Sequence, residues 1–217
     1  MQKIILLPGM NRDHRIFDRI LPLLPTAAVV DWIPPKKHEP IEAYTTRFSR
    51  TLMNDEPIVV CGVSFGGIIA RELTWRINAI SCVLISSVRS PCELPPWIRA
   101  GRVAPPRCAE ILLNAAGTVA SRWPQRIASP ATFRARKLAG KSGEWYRWAV
   151  AAVLGWKPSK HVERVPSFHI HGNRDSTFPI RYVNPDTTIG GGGHVLTLTH
   201  CGEVATILKR IALPQQV

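Results

Sequence analysis

Residues 58–70 read IVVCGVSFGGIIA, and this stretch decides the fold. An apolar run leads into Gly62-Val63-Ser64-Phe65-Gly66, and apolar residues at helical spacing follow. A strand, a G-x-S-x-G turn and a helix in this order are typical of a nucleophile elbow, a turn so sharp that its serine adopts strained dihedrals. A Cβ at either flanking glycine would collide with a neighbouring strand or helix. We therefore expect the Ser64 hydroxyl at the carboxyl edge of a sheet, above the amino end of a helix.

Predicted strands and helices alternate on both sides of this turn. Strand-like apolar runs occupy residues 3–8, 28–33, 58–61, 81–86, 167–171 and 187–189. Helical spacing occupies residues 13–24, 41–53, 66–77 and 203–211. This alternation predicts an α/β fold, with a mostly parallel sheet and helices on both of its faces.

Residues 89–160 interrupt the alternation. They contain no convincing strand, and their apolar residues recur at helical spacing (Ile111, Leu112; Trp145, Trp148, Ala149, Ala152). Proline pairs at 95–96 and 105–106 separate the helical pieces. Five of the seven tryptophans lie here, at positions 97, 123, 145, 148 and 156. We interpret the segment as a helical lid inserted in a core made of residues 1–88 and 161–217, and lying over the carboxyl edge of the sheet.

Composition narrows the class of protein. The 217 residues are 45% hydrophobic and 20% charged, which is ordinary for a soluble globular domain. No apolar run approaches the ~20 residues of a membrane span, and the amino terminus does not resemble a signal peptide, so we expect a cytoplasmic protein. Five cysteines, an odd number without C-x-x-C or Cys/His zinc spacing, argue against a disulfide framework and a zinc site.

The positive charge is unevenly distributed. The formal net charge is +13, and residues 89–160 alone carry 13 Lys and Arg against three acidic residues, a net charge of +10. Such a segment would concentrate an acidic partner, although a solvated basic face with no specific partner is an equal alternative. No nucleic-acid motif accompanies the charge, so we expect only salt-sensitive, non-specific binding to nucleic acids.

Ser64 needs a base, and that base needs an acid to orient it. Asp175 is the candidate acid because it lies just beyond the strand at 167–171, at the same edge as Ser64. A turn or helix-cap aspartate is the plain alternative for this position. Asp186 is the second candidate, but it precedes a predicted strand and is expected at the opposite edge.

His194 is the candidate base. It follows the last predicted strand and the four glycines at 190–193, which allow a tight loop and a close approach to the serine. His200 competes but lies near the start of the last helix, where capping or packing is the expected role. His169 and His171 lie in or directly after a strand and are expected to be structural.

An oxyanion needs two backbone N–H donors. The N–H of Phe65 directly follows the nucleophile, and Met10 in the loop at 8–11 is the expected second donor. Asn11 in the same loop is a candidate substrate contact, with turn formation as the alternative. The candidate pocket residues in the lid are Trp97, Trp123, Trp145 and Trp148, for which packing within the lid is the simpler role.

With these residues in place, the chain resembles the α/β-hydrolase superfamily over its whole length outside residues 89–160. The similarity rests on LLPGMNRDHRIFD, GVSFGG, HIHGNRDSTFP and GGGHVLTLTH. It implies Ser64 as nucleophile, Asp175 as acid and His194 as histidine, with no cofactor and no catalytic metal. Two features depart from the superfamily. Pro8-Gly9 replaces the common His-Gly, and two antiparallel edge strands are absent, which leaves a reduced sheet of about six strands.

The resemblance extends to small bacterial carboxylesterases, including those that demethylate acyl groups on acyl carrier protein in biotin synthesis. It implies a serine hydrolase that cleaves an ester or thioester, such as a pimeloyl-acyl-carrier-protein methyl ester, with the acidic carrier at the basic lid. Carbon–carbon bond hydrolysis, lyase or acyltransferase chemistry on the same triad is the alternative. A non-catalytic binding protein is a further alternative, which the intact triad disfavours.

Overall fold

A computed structural model describes residues 1–52, 55–103 and 142–213 of the chain. The described residues contain one parallel sheet. The six strands are β1 (Lys3–Leu7), β2 (Ala27–Val29), β3 (Ile58–Val63), β4 (Ala79–Ile85), β5 (Ser167–Gly172) and β6 (Thr187–Ile189). They lie in the order β2-β1-β3-β4-β5-β6, and every adjacent pair is parallel. The predicted α/β fold with a reduced sheet of about six strands is confirmed.

Helices connect the strands. In the part of the chain that the structure describes, the α-helices are α1 (Ile41–Ser49), α2 (Phe65–Thr74), α3 (Pro96–Val103), α4 (Ser142–Gly155), α5 (Leu196–Thr199) and α6 (Cys201–Ile211). Short 3₁₀ turns occupy His14–Phe17, Leu21–Leu23, Pro91–Glu93, Val162–Arg164 and Ile180–Tyr182. Within the described ranges, no helix is long and apolar enough to cross a membrane.

The two faces of the sheet are covered by different helices. Alternate side chains of β1 separate the two cores: Ile5 and Leu7 face one side, and Ile4 and Leu6 face the other. The first core lies under α1, α2 and α4. The second lies under α5, α6 and the 3₁₀ turn His14–Phe17. Helices therefore cover both faces, as the alternation of elements predicts.

The helix expected over residues 13–24 is wrong. The chain instead forms the 3₁₀ turns His14–Phe17 and Leu21–Leu23. The Asp13 carboxylate accepts the backbone N–H of Arg15 at 3.1 Å, which caps a short turn. Pro22 has no N–H to donate, so a longer helix would lose a bond at that position. The second strand is also shorter than the expected 28–33, because the chain leaves the sheet after Val29.

The described parts of residues 89–160 are helical. They contain α3, α4 and the turn Pro91–Glu93, with no strand among the residues that the structure describes there. Trp123 and Cys108 lie outside the described residues. Helix α4 contributes buried Trp145, Trp148 and Ala149 to the same core as α1 and α2.

Candidate active site

Ser64 sits at the turn between β3 and α2 in a conformation that few residues adopt. Its φ of 55° and ψ of −120° lie outside the regions usual for a residue with a Cβ. The turn is possible because Gly62 and Gly66 flank it. A Cβ on Gly62 would lie 2.1 Å from the Gly66 carbonyl oxygen, and one on Gly66 would lie 2.4 Å from that of Leu7. This close approach of the backbone explains why the pattern has glycine at both positions.

The backbone of Ser64 is anchored on both sides. Its N–H donates to the Ile85 carbonyl oxygen at 3.0 Å. Its carbonyl oxygen accepts the Gly67 N–H at 2.9 Å and the Ser87 hydroxyl at 2.7 Å. Sequence reasoning missed Ser87. Its position directly beyond the β4 strand, next to the elbow strand, was the available signal.

The loop after β1 lies against Ser64. A Cβ built on Gly9 would lie 3.7 Å from the Ser64 Cβ. The Gly9 carbonyl oxygen accepts the N–H of Arg12 at 3.0 Å, so the Met10 N–H of the same trans peptide points the opposite way. The Phe65 N–H starts α2 and has no acceptor within its helix. The structure thus brings the loop containing Met10 to the elbow.

Asn11 has a local partner in this loop. Its side chain is exposed, and its amide oxygen accepts the Asp13 N–H at 3.3 Å. This bond shapes the turn that leads into the first 3₁₀ segment.

The loops after β5 and β6 bring Asp175 and His194 together. His194 Nδ1 lies 2.8 Å from Asp175 Oδ2. The loops themselves are joined by the bond from the Arg174 N–H to the Gly192 carbonyl oxygen at 2.8 Å. The predicted acid and base are therefore neighbours at the carboxyl edge of the sheet, the edge that also carries Ser64.

The carboxylate of Asp175 is buried and fully engaged. Its Oδ1 accepts the N–H groups of Thr177 at 2.8 Å and Phe178 at 3.0 Å, so only Oδ2 faces His194. Burial by itself raises the pKa of Asp175, but the hydrogen bond and charge of His194 outweigh it, and the net pKa is lowered. The group is therefore ionised at neutral pH and can hold a proton on Nδ1 of His194.

The imidazole of His194 is held from a second direction. The Phe178 ring lies 5.6 Å from it, centroid to centroid, in an edge-to-face arrangement. The histidine side chain is 23% exposed, whereas that of Asp175 is completely buried. Because Nδ1 is occupied by the carboxylate, Nε2 is the nitrogen left for proton exchange.

Two more histidines lie beneath the acid. His169 and His171 are both fully buried on β5, and His169 Nε2 lies 3.1 Å from His171 Nδ1. His171 Nε2 lies 2.8 Å from the Phe178 carbonyl oxygen and 3.4 Å from Asp175 Oδ2. The sequence predicts both to be structural, and it gives no sign that they reach the acid.

The competing acid and base lie elsewhere. Asp186 precedes β6, forms an ion pair with Arg89 and accepts the backbone N–H of His169 at 2.6 Å. His200 precedes α6, and its Nδ1 lies 2.9 Å from the Thr199 hydroxyl. Neither side chain contacts Asp175 or His194 in the described hydrogen bonds.

Aromatic rings surround Phe65. Trp145 and Trp148 lie 6.1 and 5.8 Å from it, both edge to face. The indole N–H of Trp145 donates to the Met10 carbonyl oxygen at 2.6 Å, and that of Trp148 donates to the Glu39 carbonyl oxygen at 2.7 Å. These bonds fix the loop that contains Met10 and the segment before α1. Both tryptophans are buried.

Trp97 differs from these two tryptophans. It is 54% exposed, and its ring lies 6.1 Å from that of Tyr182.

Arg12 has a backbone φ of 58° and its guanidinium lies 5.2 Å from the centre of the Trp145 ring, so a buried cation also adjoins the loop that contains Met10. In residues 1–52, 55–103 and 142–213, no group of three or more His, Cys, Asp or Glu side chains is arranged to hold a metal ion.

Known proteins resemble this chain in sequence pattern and fold. The sequence profile described as the alpha/beta hydrolase family matches residues 4–207. No curated protein matches the chain. Among solved structures, an esterase from Thermogutta terrifontis is 16% identical with a TM-score of 0.65, covering 97% of this chain and 89% of its own. MenH from S. aureus is 16% identical with a TM-score of 0.64, covering 96% and 92%. Identities this low show a common fold.

Proposed function

The chain belongs to the alpha/beta hydrolase family, and from this premise we propose that it is a serine hydrolase that cleaves a carboxylic ester or thioester through an acyl-enzyme. One observation carries the proposal. The strained Ser64 elbow and the His194–Asp175 hydrogen bond of 2.8 Å lie at the same edge of one parallel sheet. A surface serine needs neither a strained turn nor a buried Asp–His pair.

In acylation, Ser64 is the nucleophile and His194 is first the base and then the acid. His194 Nε2 takes the proton of the Ser64 hydroxyl while the oxygen attacks the substrate carbonyl carbon. The resulting oxyanion accepts hydrogen bonds from the N–H groups of Phe65 and Met10. The protonated His194 then gives its proton to the departing alcohol or thiol, and the acyl group remains on the serine.

Deacylation repeats the sequence with water. His194 removes a proton from the water, the hydroxide attacks the acyl carbon, and the proton passes to the Ser64 oxygen as the carboxylic acid leaves. Asp175 keeps the proton of the neutral imidazole on Nδ1 throughout and stabilises the imidazolium that forms. No external oxidant or cofactor enters this balance.

The decisive test is loss of the nucleophile. Ser64→Ala should lower turnover of short p-nitrophenyl esters by about 10⁴- to 10⁶-fold and abolish labelling by a fluorophosphonate. Ser86→Ala is the matched control, because its hydroxyl is buried without a hydrogen-bond partner. If the wild type neither cleaves esters and thioesters nor reacts with the fluorophosphonate, the proposal is wrong. Labelling without any such cleavage would redirect it to carbon–carbon or acyl-transfer chemistry.

We further propose that the acyl group is presented by an acidic carrier protein, as in a pimeloyl-acyl-carrier-protein methyl ester. The net charge of +10 on residues 89–160 supports this, and the exposed cations described there are Arg99, Arg147, Lys157 and Lys160. Two other arginines are occupied internally. Arg89 pairs with Asp186, and Arg102 donates to the carbonyl oxygens of Val153 and Trp156 at 3.0 and 2.8 Å.

Charge reversal tests the carrier. Lys157→Glu with Lys160→Glu should lower kcat/KM on a carrier-protein ester by about tenfold, since steering depends on the charge of the surface. The same double variant should leave p-nitrophenyl ester cleavage unchanged. Lys209→Glu with Arg210→Glu on α6 makes the same change of charge elsewhere. Equal losses from both pairs would contradict a carrier site in residues 89–160.

We also propose that residues 89–160 form the lid, with α4 as its fixed base. The indole of Trp156 donates to Glu72 Oε1 at 2.9 Å, and the Ser159 N–H donates to the same oxygen at 3.1 Å. Together with the Trp148–Glu39 bond, these contacts fasten α4 and its following residues to the core. Any opening that admits substrate must therefore leave α4 in place. Hydrogen exchange in α4 as slow as in β3 would support this arrangement, and fast exchange would contradict it.

A further inference from the structure

Asp175 and His194 form what we call the acid side of the site. The buried histidines His169 and His171 extend it by two residues. Both side chains leave the same face of β5, because they are two residues apart on a strand. The chain of contacts runs from His169 Nε2 to His171 Nδ1 at 3.1 Å, and from His171 Nε2 to the Phe178 carbonyl oxygen at 2.8 Å. The mechanism described above uses neither imidazole.

The acceptor at the end of this chain fixes the positions of its protons. A carbonyl oxygen can only accept, so His171 carries its proton on Nε2 and presents the Nδ1 lone pair to His169. His169 must then donate from Nε2, and its buried Nδ1 has no hydrogen-bond partner. A proton on His171 Nδ1 instead would require either an imidazolium or a lone pair facing both the carbonyl oxygen and a carboxylate.

Electrostatics agrees with two neutral rings. Burial lowers the pKa of His169 to about 3 and also lowers the pKa of His171. The charged and titratable groups facing His171 are Asp175, His194, Glu93 and His169, and those facing His169 are Arg89, Asp186 and His171. The backbone of Ser87 favours a proton on His169. Burial is the larger effect and outweighs it.

His171 holds the segment 175–178 as a closed ring. Phe178 donates its N–H to Asp175 Oδ1 at 3.0 Å and accepts the Nε2–H of His171 through its carbonyl oxygen. His171 Nε2 also lies 3.4 Å from Asp175 Oδ2, longer than an ordinary hydrogen bond but close enough for the N–H dipole to be oriented by the carboxylate charge. A neutral donor here steadies the carboxylate without neutralising it, whereas a cation would compete with His194 for it.

We propose that His171 is a positioning residue for Asp175, and that His169 locks it in the neutral Nε2–H tautomer. The inference deepens the proposed serine hydrolase function and rests on it. His171 acts only through the carboxylate, which it aims at His194.

Two substitutions separate positioning from packing. His171→Leu removes the donor at similar volume, and we expect kcat on p-nitrophenyl acetate to fall about 10²-fold with little change in KM, since small misplacements of reacting groups cost this much. The acidic limb of the kcat/KM profile should move to higher pH, because the charge of Asp175 is then shared with one donor fewer. His171→Gln keeps a neutral N–H donor and should retain kcat within about fivefold and keep the limb in place.

His200→Gln, the same change at a half-buried histidine that does not contact Asp175, should alter neither readout. Equal losses for His171→Leu and His171→Gln with an unmoved acidic limb would show that His171 only fills space, and would overturn the proposal. If His171→Leu does not fold, His171→Asn replaces it, because its shorter amide cannot reach the Phe178 carbonyl oxygen. Activity retained by His171→Asn would likewise overturn it.

The tautomers can be measured without any variant. Long-range ¹H–¹⁵N correlation spectra of the wild type at pH 7 should show His169 and His171 as neutral rings protonated on Nε2. A proton on His171 Nδ1, or an imidazolium at this position, would overturn the proposal. This readout does not need ester cleavage. An inactive wild type with both expected tautomers would refute the proposed function and leave the tautomer lock standing.

Discussion

The two halves of the site are held by different means. On the nucleophile side, the conformation of Ser64 follows from backbone sterics, because Gly62 and Gly66 let β1, β3 and α2 approach within van der Waals distance. On the acid side, Asp175 and His194 are held by side-chain hydrogen bonds, and buried histidines stand behind them. The acid side also has two close glycines, Gly172 and Gly192, but they let two loops approach each other and do not orient the carboxylate.

This difference predicts which substitutions and which changes of pH each half of the site tolerates. A steric cradle fails when an atom is added, and a polar network fails when a donor is removed or a proton is added. The nucleophile side should therefore be sensitive to volume and indifferent to pH. The acid side should be sensitive to pH and to exchanges between donor and acceptor.

After the loss of Ser64 itself, the largest effect should come from Asp175→Asn on the acid side. Asn can present an acceptor to only one neighbour, so its NH₂ would oppose either the Nδ1–H of His194 or the N–H groups of Thr177 and Phe178. We expect kcat on p-nitrophenyl acetate to fall by about 10⁴-fold, through the wrong tautomer of His194. Asp186→Asn should lose less than about tenfold, and an equal loss there would assign the acid to Asp186.

A smaller but still large effect should come from Gly62→Ala on the nucleophile side. The added Cβ would lie 2.1 Å from the Gly66 carbonyl oxygen and 2.4 Å from the Gly67 nitrogen, so the backbone must move. Denaturant titration should show a loss of about 3 kcal/mol in the free energy of unfolding.

Gly190→Ala is the matched control for this substitution. A Cβ on Gly190 meets no atom within 4 Å, and its φ is not in the left-handed region. Its free energy of unfolding should change by less than about 0.5 kcal/mol. Equal effects at the two glycines would show that the elbow is not held by close backbone approach.

A third effect, the loss of folding stability on acidification, should distinguish the acid side from the nucleophile side. His169 takes up a proton near pH 6.5 when unfolded but only near pH 3 when folded, so acid favours the unfolded chain. The stability that the neutral, buried His169 contributes to the folded protein is fully present above pH 6.5 and is lost as the pH falls toward 3. At pH 5 the loss is about 2 kcal/mol.

His169→Gln should remove that pH dependence. Denaturant titrations at pH 7 and pH 5 should show a decrease in stability that is about 2 kcal/mol smaller for the variant than for the wild type. His200→Gln should leave the decrease unchanged. If the wild type and His169→Gln lose the same stability on acidification, the buried ring is not neutral in the folded protein.

The smallest effect should come from Ser87→Ala on the nucleophile side. The Ser64 carbonyl oxygen would lose one of its two donors and keep the Gly67 N–H. We expect stability and the activation free energy each to change by about 1 kcal/mol, the usual net value of one hydrogen bond. Ser81→Ala is the matched control, since its hydroxyl makes only a long contact of 3.5 Å to the Pro166 carbonyl oxygen. No difference between the two would show that the Ser87 hydroxyl does not support the elbow.

The sequence predicts the nucleophile side more fully than the acid side. The pattern itself explains the glycines at 62 and 66, because only a residue without a side chain permits the turn. The order of strands and the carboxyl-edge positions of Asp175 and His194 also follow from the chain, since parallel strands end at a common edge. These elements depend on local pattern and topology.

Other features depend on contacts between distant residues. The bond from Ser87 to Ser64 and the contact between His171 and Phe178 need three-dimensional positions that no local periodicity contains. The helix expected at 13–24 fails for a local reason, since the side-chain cap of Asp13 and the proline at 22 outweigh apolar spacing. The indoles of Trp145 and Trp148 donate to the backbone carbonyl oxygens of Met10 and Glu39, and nothing in the local sequence indicates these partners.

The aromatic rings around Phe65 have a practical consequence. Three indoles, those of Trp32, Trp145 and Trp148, have centroids within about 6 Å of the phenyl ring that follows the nucleophile. Tryptophan emission is sensitive to changes of field and collision at this range. Attachment of an acyl group to residue 64 should therefore change the intrinsic fluorescence, and stopped-flow recording could time its arrival and departure without any added dye.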